Sequence, residues 1–333
     1  MKKVLLISNY RKSIGGISGQ VEILLDKFNN NQISCELFNT KVNNFKRLQL
    51  PFRLFIRSFN YDVFHIHGCS GLGFFPIIIG VLIGRFTKKK IIVTYHGGNF
   101  KKFIASYPKL VKYFLTKADV LTVPSQYLVK IFKENNLDTI HLPNIIREDN
   151  VKFKKRNFFH PKIIVTRSFE KVYNISLVIK AFAEIKKKYI GSTLFLIGDG
   201  SLKKILQKEV KDLEVKGIVF VGRVENSEIG NNLNKADIYV NPTTADNMPI
   251  SLFEAFACGL PVISTNVGGI PNFIKDSENG FLIDSDDLEG LISKIEYILL
   301  NQDKMKPIVN KGYSTFLSKT WSSLEPQYNK LFE

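Results

Sequence analysis

The chain has 333 residues, of which 44% are apolar and 23% charged, and this length favours two globular domains over one. Its formal net charge of +17 is concentrated in residues 1–155, which carry +16, whereas residues 156–333 carry +1. Cys35, Cys69 and Cys258 form no C-x-x-C pair, so neither a zinc ribbon nor a disulfide framework is indicated, and a reducing cytoplasm fits best.

The first half alternates short apolar runs with helical patterns. Apolar runs without period-two alternation are typical of strands buried on both faces of a parallel sheet. We predict strands at 4–7, 63–66, 91–93 and 120–123, each followed by a polar or glycine-containing turn. The first of these runs is too short to be the apolar region of a signal peptide.

One stretch, from Gly68 to Gly84, has no charged residue and approaches the minimum length of a membrane span. It contains Pro76, and apolar helices of this length also occur in the cores of large α/β proteins. We therefore predict a buried helix here rather than a membrane span.

The second half repeats the strand–helix alternation. We predict strands at 163–165, 194–197, 218–221, 238–240 and 262–263. Between the first two, apolar residues spaced three or four apart from Ile175 to Ile185 indicate an amphipathic helix. Two rounds of this alternation predict two doubly wound parallel sheets.

The polar segment 148–161 is the predicted boundary, with one domain at 1–155 and a second at 156–312. The last segment, 313–333, carries Trp321, Leu324 and Tyr328 at helical spacing and predicts a C-terminal helix with an apolar stripe. Pro326 either kinks this helix or lies in its first turn.

Glycines and histidines follow the strands of the first half, where ligands of open α/β sheets collect. Gly15, Gly16 and Gly19 form either a loop whose backbone amides can approach a phosphate or a sugar, or a turn with only a structural role. The loop lacks the G-x-G-x-x-G pattern of dinucleotide-binding folds. His96 precedes two glycines and is either a group of the site or a hydrogen-bonded core histidine. The His65-x-His67 pair has no third ligand nearby, so we predict no metal site.

The second half carries an acid–helix pattern between residues 245 and 264. Pro249 and Gly259 bracket a helix whose N-terminus favours an anion. Glu254 lies among apolar neighbours, where a carboxylate needs a partner. That partner is either the ribose hydroxyls of a nucleotide or a backbone amide or lysine of the protein. Asp246 lies just before the helix.

An ordered series of motifs resembles glycosyltransferase family four, retaining enzymes of the GT-B fold. Asp246, seven residues, Glu254 and then AFACGLPVI are similar to the family's paired acids and following A-x-A-x-G-x-P-V-I. Further agreements run along the chain, most closely over 162–284: His65-x-His67, Thr94-x-His96-Gly97, Pro143-Asn144, Gly198-Asp199-Gly200, Val219-Phe220-x-Gly222, Gly268-Gly269 and Asn279-Gly280-Phe281.

The resemblance implies two Rossmann-like domains facing across a cleft, with a C-terminal helix crossing back to the first domain. It also implies roles for individual residues. Glu254 would hold the donor ribose, Asp246 the hydroxyls of the transferred sugar and Arg167 the diphosphate, while His96 would lie near the reacting sugar. The remaining predicted donor-binding residues are Gly15, Gly16, Lys171, Gly198, Asn247, Met248, Pro249 and Ile250.

Two positions depart from the family pattern. The first of the paired acids is Asp246, one methylene shorter than the usual glutamate, which bears on the identity of the sugar. Where the family usually has a lysine after the arginine, this chain has Tyr173, with Lys171 nearby as a substitute.

The sequence thus predicts a retaining glycosyltransferase, hexosyltransferase-type, that uses a nucleotide-diphosphate-sugar and neither a metal nor another cofactor. The expected acceptor is a glycan or a lipid-linked or growing bacterial surface polysaccharide. The basic half further suggests a cytoplasmic protein attached peripherally to the anionic inner face of the plasma membrane. The alternatives are an epimerase or phosphorylase of the same fold and a nucleic-acid-binding protein, for which no aromatic–basic recognition motif is present.

Overall fold

The computed structural model describes residues 2–12, 16–30 and 33–332. It contains two compact units, the first formed by Met1–Ile145 together with Trp321–Glu333 and the second by Ile146–Thr320. Each unit has a six-stranded sheet whose described pairings are all parallel, with helices packed against it. The prediction of two doubly wound parallel sheets is confirmed.

The sheet of unit 1 has the strand order β2-β1-β3-β4-β5-β6. Its strands are β1 (Lys3–Ser8), β2 (Ser34–Asn39), β3 (Val63–Gly68), β4 (Lys90–Tyr95), β5 (Val120–Val123) and β6 (Ile140–His141). Its helices up to this point in the chain are α1 (Ile17–Asn30), α2 (Asn44–Arg47), α3 (Leu50–Ser58), α4 (Phe75–Phe86), α5 (Phe100–Ser106), α6 (Pro108–Leu115) and α7 (Gln126–Glu134).

The charge-free run that begins at Gly68 forms a short 3-10 turn and then α4. One side of α4 packs closely on the sheet. The distance is so short that a Cβ added at Gly80 would lie 2.6 Å from the Ile66 side chain. The predicted buried helix is confirmed on that side only, since Leu82 and Phe86 lie exposed on the other. Across the described residues, no helix combines the length and apolar character that crossing a bilayer requires.

The sheet of unit 2 has the strand order β12-β11-β10-β7-β8-β9. Its strands are β7 (Lys162–Thr166), β8 (Thr193–Ile197), β9 (Ile218–Gly222), β10 (Ile238–Asn241), β11 (Val262–Thr265) and β12 (Phe281–Ile283). Its helices are α8 (Ile175–Lys188), α9 (Lys203–Asp212), α10 (Ile229–Leu233), α11 (Ile250–Ala257), α12 (Leu288–Leu300) and α13 (Gln302–Leu317). All nine predicted strands and the helix from Ile175 are present.

The units divide at Ile145/Ile146 rather than at the predicted 155/156. The polar segment 148–161 is packed into unit 2 because Arg156 anchors it there. The guanidinium of Arg156 is buried, pairs with Asp237 at 3.1 Å and donates to the carbonyl oxygens of Ala236 and Cys258. This charged segment is therefore part of the fold rather than a linker, since the positive charge of Arg156 is paired and its N–H groups have acceptors.

The C-terminal residues form two helices rather than one. After α13 ends, α14 (Trp321–Lys330) begins and belongs to unit 1. Trp321, Leu324 and Tyr328 face the core of that unit, as their spacing predicts, and the Tyr328 hydroxyl donates to the carbonyl oxygen of Pro143 at 2.9 Å. Pro326 lies inside α14, past its first turn.

Candidate active site

The strand order places a ligand crevice in each sheet. In unit 2 the chain runs outward from β7 to β8 and β9 on one side, and from β10 to β11 and β12 on the other. β7 and β10 are neighbours, so the loops that leave their carboxyl ends diverge at this switch point. Open α/β sheets bind ligands at such points because the diverging loops leave a space above the strands.

Arg167, immediately after β7, is held at this point by three side chains. Its guanidinium forms an ion pair with Asp246, which follows β10, and donates through Nη1 to Ser251 Oγ at 3.1 Å. The ring of Tyr173 lies 4.2 Å from the guanidinium carbon. Burial would lower the pKa of Arg167, but Asp246, Tyr239 and Tyr173 together outweigh it, so the pKa is raised and the guanidinium stays charged.

Glu254 lies on α11, one turn beyond Ser251, so the two side chains share a face of the helix. Burial raises the pKa of Glu254 to about 7, and the positive charge of Arg167 only partly offsets this. No hydrogen bond from the described residues lowers it further. The carboxylate is therefore available to accept hydrogen bonds from a ligand, and its role in holding the donor ribose stays a prediction.

Glycines let the strand-end loops approach one another backbone to backbone. A side chain at Gly268 would overlap the carbonyl oxygen of Asp246, and one at Gly269 that of Asn247. On the other side of the crevice, a side chain at Gly198 would overlap the carbonyl oxygen of Arg167. The predicted donor-site glycine Gly198 thus positions the Arg167 loop in this structure.

The turn before Glu254 leads into the N-terminus of α11. Asn247, Met248 and Pro249 are buried, and Ile250 is the first residue of α11. The Asn247 amide donates to Asp246 Oδ1 at 2.7 Å, so it is engaged within the turn. The amides at the start of a helix have no partner within it and carry a partial positive charge. The start of α11, where Ser251 contacts Arg167, is therefore suited to a phosphate.

Of the two candidates for the family's lysine position, Tyr173 is the one in contact with the site. Its ring covers the Arg167 guanidinium, whereas Lys171, at the start of the same short 3-10 turn, is exposed. Tyr173 and Ser251 are the contacts of Arg167 that sequence reasoning did not assign. Both were next to assigned residues, but only the folded loops show that they touch Arg167.

In unit 1 the switch point lies between β1 and β3. The loop after β1 holds the predicted glycines, of which Gly15 lies outside the described residues. Gly16 has a φ of +69°, and its carbonyl oxygen accepts the amide hydrogen of Gln20 at the start of α1. Among the described residues other than its chain neighbours, none has an atom within 4 Å of the position that a Cβ at Gly16 would occupy.

Three histidines gather at the carboxyl ends of β3 and β4. His67 Nδ1 lies 2.9 Å from His96 Nε2, and His65 Nε2 lies 2.8 Å from Thr94 Oγ1. Burial lowers the pKa of His65 to about 3 and that of His96 to about 4, and lowers the pKa of His67 well below its usual value. All three rings are therefore neutral at pH 7.

His96 is hydrogen-bonded to two residues of unit 1. Its Nε2 lies 2.9 Å from His67 Nδ1, so one of these two nitrogens donates to the other. A hydrogen bond with the Asn144 side chain opposes the lowering of the His96 pKa by burial. The described residues contain no group of three or more side chains able to hold a metal ion.

Family models match both units. The model described as Glycosyl transferases group 1 matches residues 146–315, more than half of the chain, and the model described as Glycosyltransferase Family 4 matches residues 34–146. The chain belongs to the glycosyl transferases group 1 family. The resemblance inferred from the motifs is confirmed, and the chain is a glycosyltransferase.

Curated relatives of this glycosyltransferase differ in their substrates. N-acetyl-alpha-D-glucosaminyl L-malate synthase of Bacillus anthracis is 28% identical over 73% of this chain and 67% of its own length. Alpha-monoglucosyldiacylglycerol synthase of Streptococcus pneumoniae is 27% identical over 71% of this chain and 59% of its own length. An uncharacterized glycosyltransferase of Methanocaldococcus jannaschii is 24% identical over 99% of this chain and 98% of its own.

Solved structures of glycosyltransferases share the fold along the whole chain. Sucrose-phosphate synthase from Thermosynechococcus elongatus has a TM-score of 0.81 at 16% identity, covering 100% of this chain and 98% of its own. HepE of Anabaena, solved with UDP and glucose, has a TM-score of 0.80 at 15% identity, covering 100% and 99%. The predicted GT-B fold is confirmed.

Proposed function

We propose that this glycosyltransferase is a retaining enzyme that takes a hexose from a nucleotide-diphosphate-sugar. The observation that carries the proposal is the juxtaposition of Arg167, Glu254 and the start of α11 at the switch point of unit 2. A buried guanidinium, the N-terminus of a helix and a carboxylate with no hydrogen-bond partner among the described residues match a diphosphate joined to a ribose. HepE, which shares the fold, has been solved with UDP-glucose, and this supports the same donor class.

In this proposal each group of the site has one task. Glu254 accepts hydrogen bonds from the ribose hydroxyls, Arg167 and the α11 amides hold the diphosphate, and Asp246 contacts hydroxyls of the transferred sugar. His96 is a neutral group near the reacting sugar. The ion pair with Asp246 and the ring of Tyr173 fix the guanidinium before the donor arrives, so little reorganisation is needed when charge develops.

The chemical step breaks the bond between the anomeric carbon and the diphosphate. The transition state has oxocarbenium character at the sugar, and negative charge grows on the leaving phosphate. Arg167 and the α11 N-terminus stabilise that charge, so the proposal requires no metal ion. The acceptor hydroxyl attacks from the side on which the diphosphate leaves, and its proton passes to a phosphate oxygen, which retains the anomeric configuration.

For the acceptor we propose a lipid-linked or growing surface polysaccharide at the anionic inner face of the plasma membrane. The strongly basic first half of the chain supports this, because it favours an anionic surface or a phosphate-bearing acceptor. Names of relatives lend support: one synthesises a glucosyldiacylglycerol, and another, LpsE of Rhizobium meliloti, acts in lipopolysaccharide core biosynthesis.

A thermal-shift screen across nucleotide-sugars, followed by NMR of the product's anomeric centre, tests the proposal. The correct donor raises the melting temperature. Glu254→Ala is expected to lower transfer at least ~100-fold, or ~2.7 kcal/mol of transition-state stabilisation. Glu184→Ala, which removes an exposed carboxylate of the same unit, serves as the control.

Three results would contradict the proposal in different parts. Near-normal transfer by Glu254→Ala would remove Glu254 from the site. A product of inverted anomeric configuration would refute retention. Epimerisation or phosphorolysis of the donor without an acceptor would indicate one of the other enzyme classes built on this fold.

A further inference from the structure

Helices α3, α4 and α6 of unit 1 expose large apolar side chains on neighbouring surfaces. We call this the α3–α4–α6 face and define it by the exposed residues Phe52, Ile56, Phe59, Leu82, Phe86 and Tyr113. Single exposed apolar residues are ordinary on protein surfaces, but a contiguous group of this size marks an interaction site.

Helix α3 shows why the exposure is not incidental. Its core side is formed by Leu50, Leu54 and Ser58, which are fully buried one turn apart. Phe52, Ile56 and Phe59 repeat at the same helical spacing on the opposite side, where they are 67%, 53% and 66% exposed. The helix therefore has two apolar faces, and only one of them has a partner within the fold.

Contacts between the helices make the face continuous. The ring of Phe55 packs edge-on against Phe59 at 5.2 Å and lies 5.8 Å from Phe86, which joins α3 to α4. At the end of α4, the Arg85 guanidinium donates to the carbonyl oxygen of Lys117 at 2.7 Å. The ammonium of Lys117 in turn lies 5.6 Å from the centre of the Tyr113 ring, which joins α4 to α6.

The charge around the face is mostly positive. From Leu37 to Ala118 the chain has fourteen lysines and arginines and one carboxylate, Asp62. Just outside that range, Glu36 forms an ion pair with Arg57 of α3, and Asp119 forms one with Arg85 of α4 at 2.7 Å. Asp62 accepts the backbone amide hydrogen of Lys3. Arg53 on α3 and Lys112 on α6 are exposed beside the apolar residues.

We propose that the α3–α4–α6 face docks onto a bilayer with anionic headgroups. Aromatic rings that lie at headgroup depth, with lysines and arginines around them, are the combination that binds such a surface. Two copies of this chain joined through the face would bring like charges together, which opposes self-association. This inference rests on the proposed function only in assuming an acceptor held at the membrane.

Vesicle flotation of the full chain tests the docking. The probes are vesicles of phosphatidylcholine alone and vesicles that also contain phosphatidylglycerol, at low and at high salt. We expect flotation only with the anionic vesicles, weakening as salt rises. The triple variant Phe52→Ser, Phe59→Ser, Phe86→Ser is expected to bind at least about ten-fold more weakly, because its aromatic side chains no longer leave water. The double variant Lys109→Glu, Lys112→Glu is expected to bind the anionic vesicles at least about ten-fold more weakly, because it replaces two positive charges with negative ones.

The matched control is the double variant Ile190→Ser, Leu300→Ser. It removes apolar side chains that are 84% and 74% exposed in unit 2, and we expect it to bind vesicles like the wild type. Every variant is also screened by thermal shift with nucleotide-sugars, and the donor-induced shift is expected to persist.

Each remaining outcome has one meaning. Equal flotation of the triple variant and the wild type, or equal binding to neutral and anionic vesicles, would overturn the docking. A wild-type dimer that the triple variant converts to a monomer in analytical ultracentrifugation would overturn it in favour of self-association. Absence of vesicle binding with the donor shift intact would refute the docking alone, whereas absence of any donor shift would count against the proposed function.

Discussion

Glu254 shows how the surroundings of one residue set its chemistry. The same carboxyl group in water ionises well below neutral pH, but here burial raises its pKa to about 7 despite the charge of Arg167. The folded protein therefore holds an acid that loses its proton near physiological pH. Burying an ionised carboxylate lowers the stability of the folded protein, and residues with strongly shifted pKa values are often found at binding sites.

The sign of this cost can be tested. Because the folded-state pKa of Glu254 lies above its ordinary value of 4.5, the group favours the folded state at low pH, and this contribution is lost as pH rises to about 7. Glu254→Gln, which cannot ionise, is expected to gain ~1–3 kcal/mol over the wild type on going from pH 5 to pH 8. Urea denaturation at both pH values measures the difference.

If the difference in free energy of unfolding between Glu254→Gln and the wild type is the same at pH 5 and at pH 8, Glu254 ionises normally in the folded state. Glu184→Gln provides the comparison for an exposed carboxylate, and it is expected to show no such pH-dependent gain.

At the level of elements, the site depends on how closely the loops after β7, β10 and β11 approach one another. Their contact is between backbones, as the amide of Gly269 donates to the carbonyl oxygen of Asp246 at 3.0 Å and the amide of Thr244 to that of Val172 at 2.8 Å. Gly268 has a φ of +56° and no room for a side chain. The position of Asp246, and with it the ion pair to Arg167, follows from this packing.

Gly268→Ala is expected to destabilise the protein by ~1–3 kcal/mol, because alanine is strained at a positive φ and its methyl group would overlap Asp246. Gly191→Ala is the control: this glycine is exposed, and within the part of the chain that the structure describes no residue beyond its chain neighbours has an atom within 4 Å of its Cβ position. It is expected to change stability by less than ~1 kcal/mol. Equal effects of the two substitutions, measured by thermal denaturation, would show that the loops do not need the close approach.

At the level of the whole molecule, each unit has its own hydrophobic core, and the chain returns to the first unit at its end. Helix α14 follows the whole of unit 2 in sequence, yet Trp321 packs edge-on against Phe28 of α1 at a centroid distance of 6.0 Å. Unit 1 is therefore complete only after the last helix has folded onto it. Trp321 is the single tryptophan of the chain, so its fluorescence reports on unit 1.

Leu324→Ala is expected to destabilise unit 1 by ~2–5 kcal/mol, since the leucine is buried in that core and the substitution leaves a cavity. The transition followed by Trp321 fluorescence should shift to lower urea. Gln327→Ala, at an exposed position of the same helix, should leave it within ~0.5 kcal/mol of the wild type. If both variants unfold like the wild type, α14 does not contribute to the core of unit 1.

Elements with strong local patterns were predictable, and weakly patterned ones were not. Most of the nine predicted strands are apolar runs because they are buried on both faces, whereas β9, at the edge of its sheet, exposes Val219 and Val221. β2 was missed because Glu36 and Asn39 interrupt its apolar residues at the edge of the sheet, and β6 and β12 were missed because they are only two and three residues long. The boundary was misplaced because the charges of segment 148–161 resemble those of a linker, while Arg156 has buried partners.

The sequence by itself determined the alternation of strands and helices, the family and the residues placed at the strand ends, since each of these depends on a contiguous pattern. Only the tertiary structure decided that Tyr173 and Ser251 hold Arg167 and that His67 orients His96. Apart from the contact between Tyr173 and Arg167, these contacts join segments that are far apart in the chain. A local sequence pattern predicts which side of a helix or strand is buried. Which other element buries that side is determined only when the elements pack together.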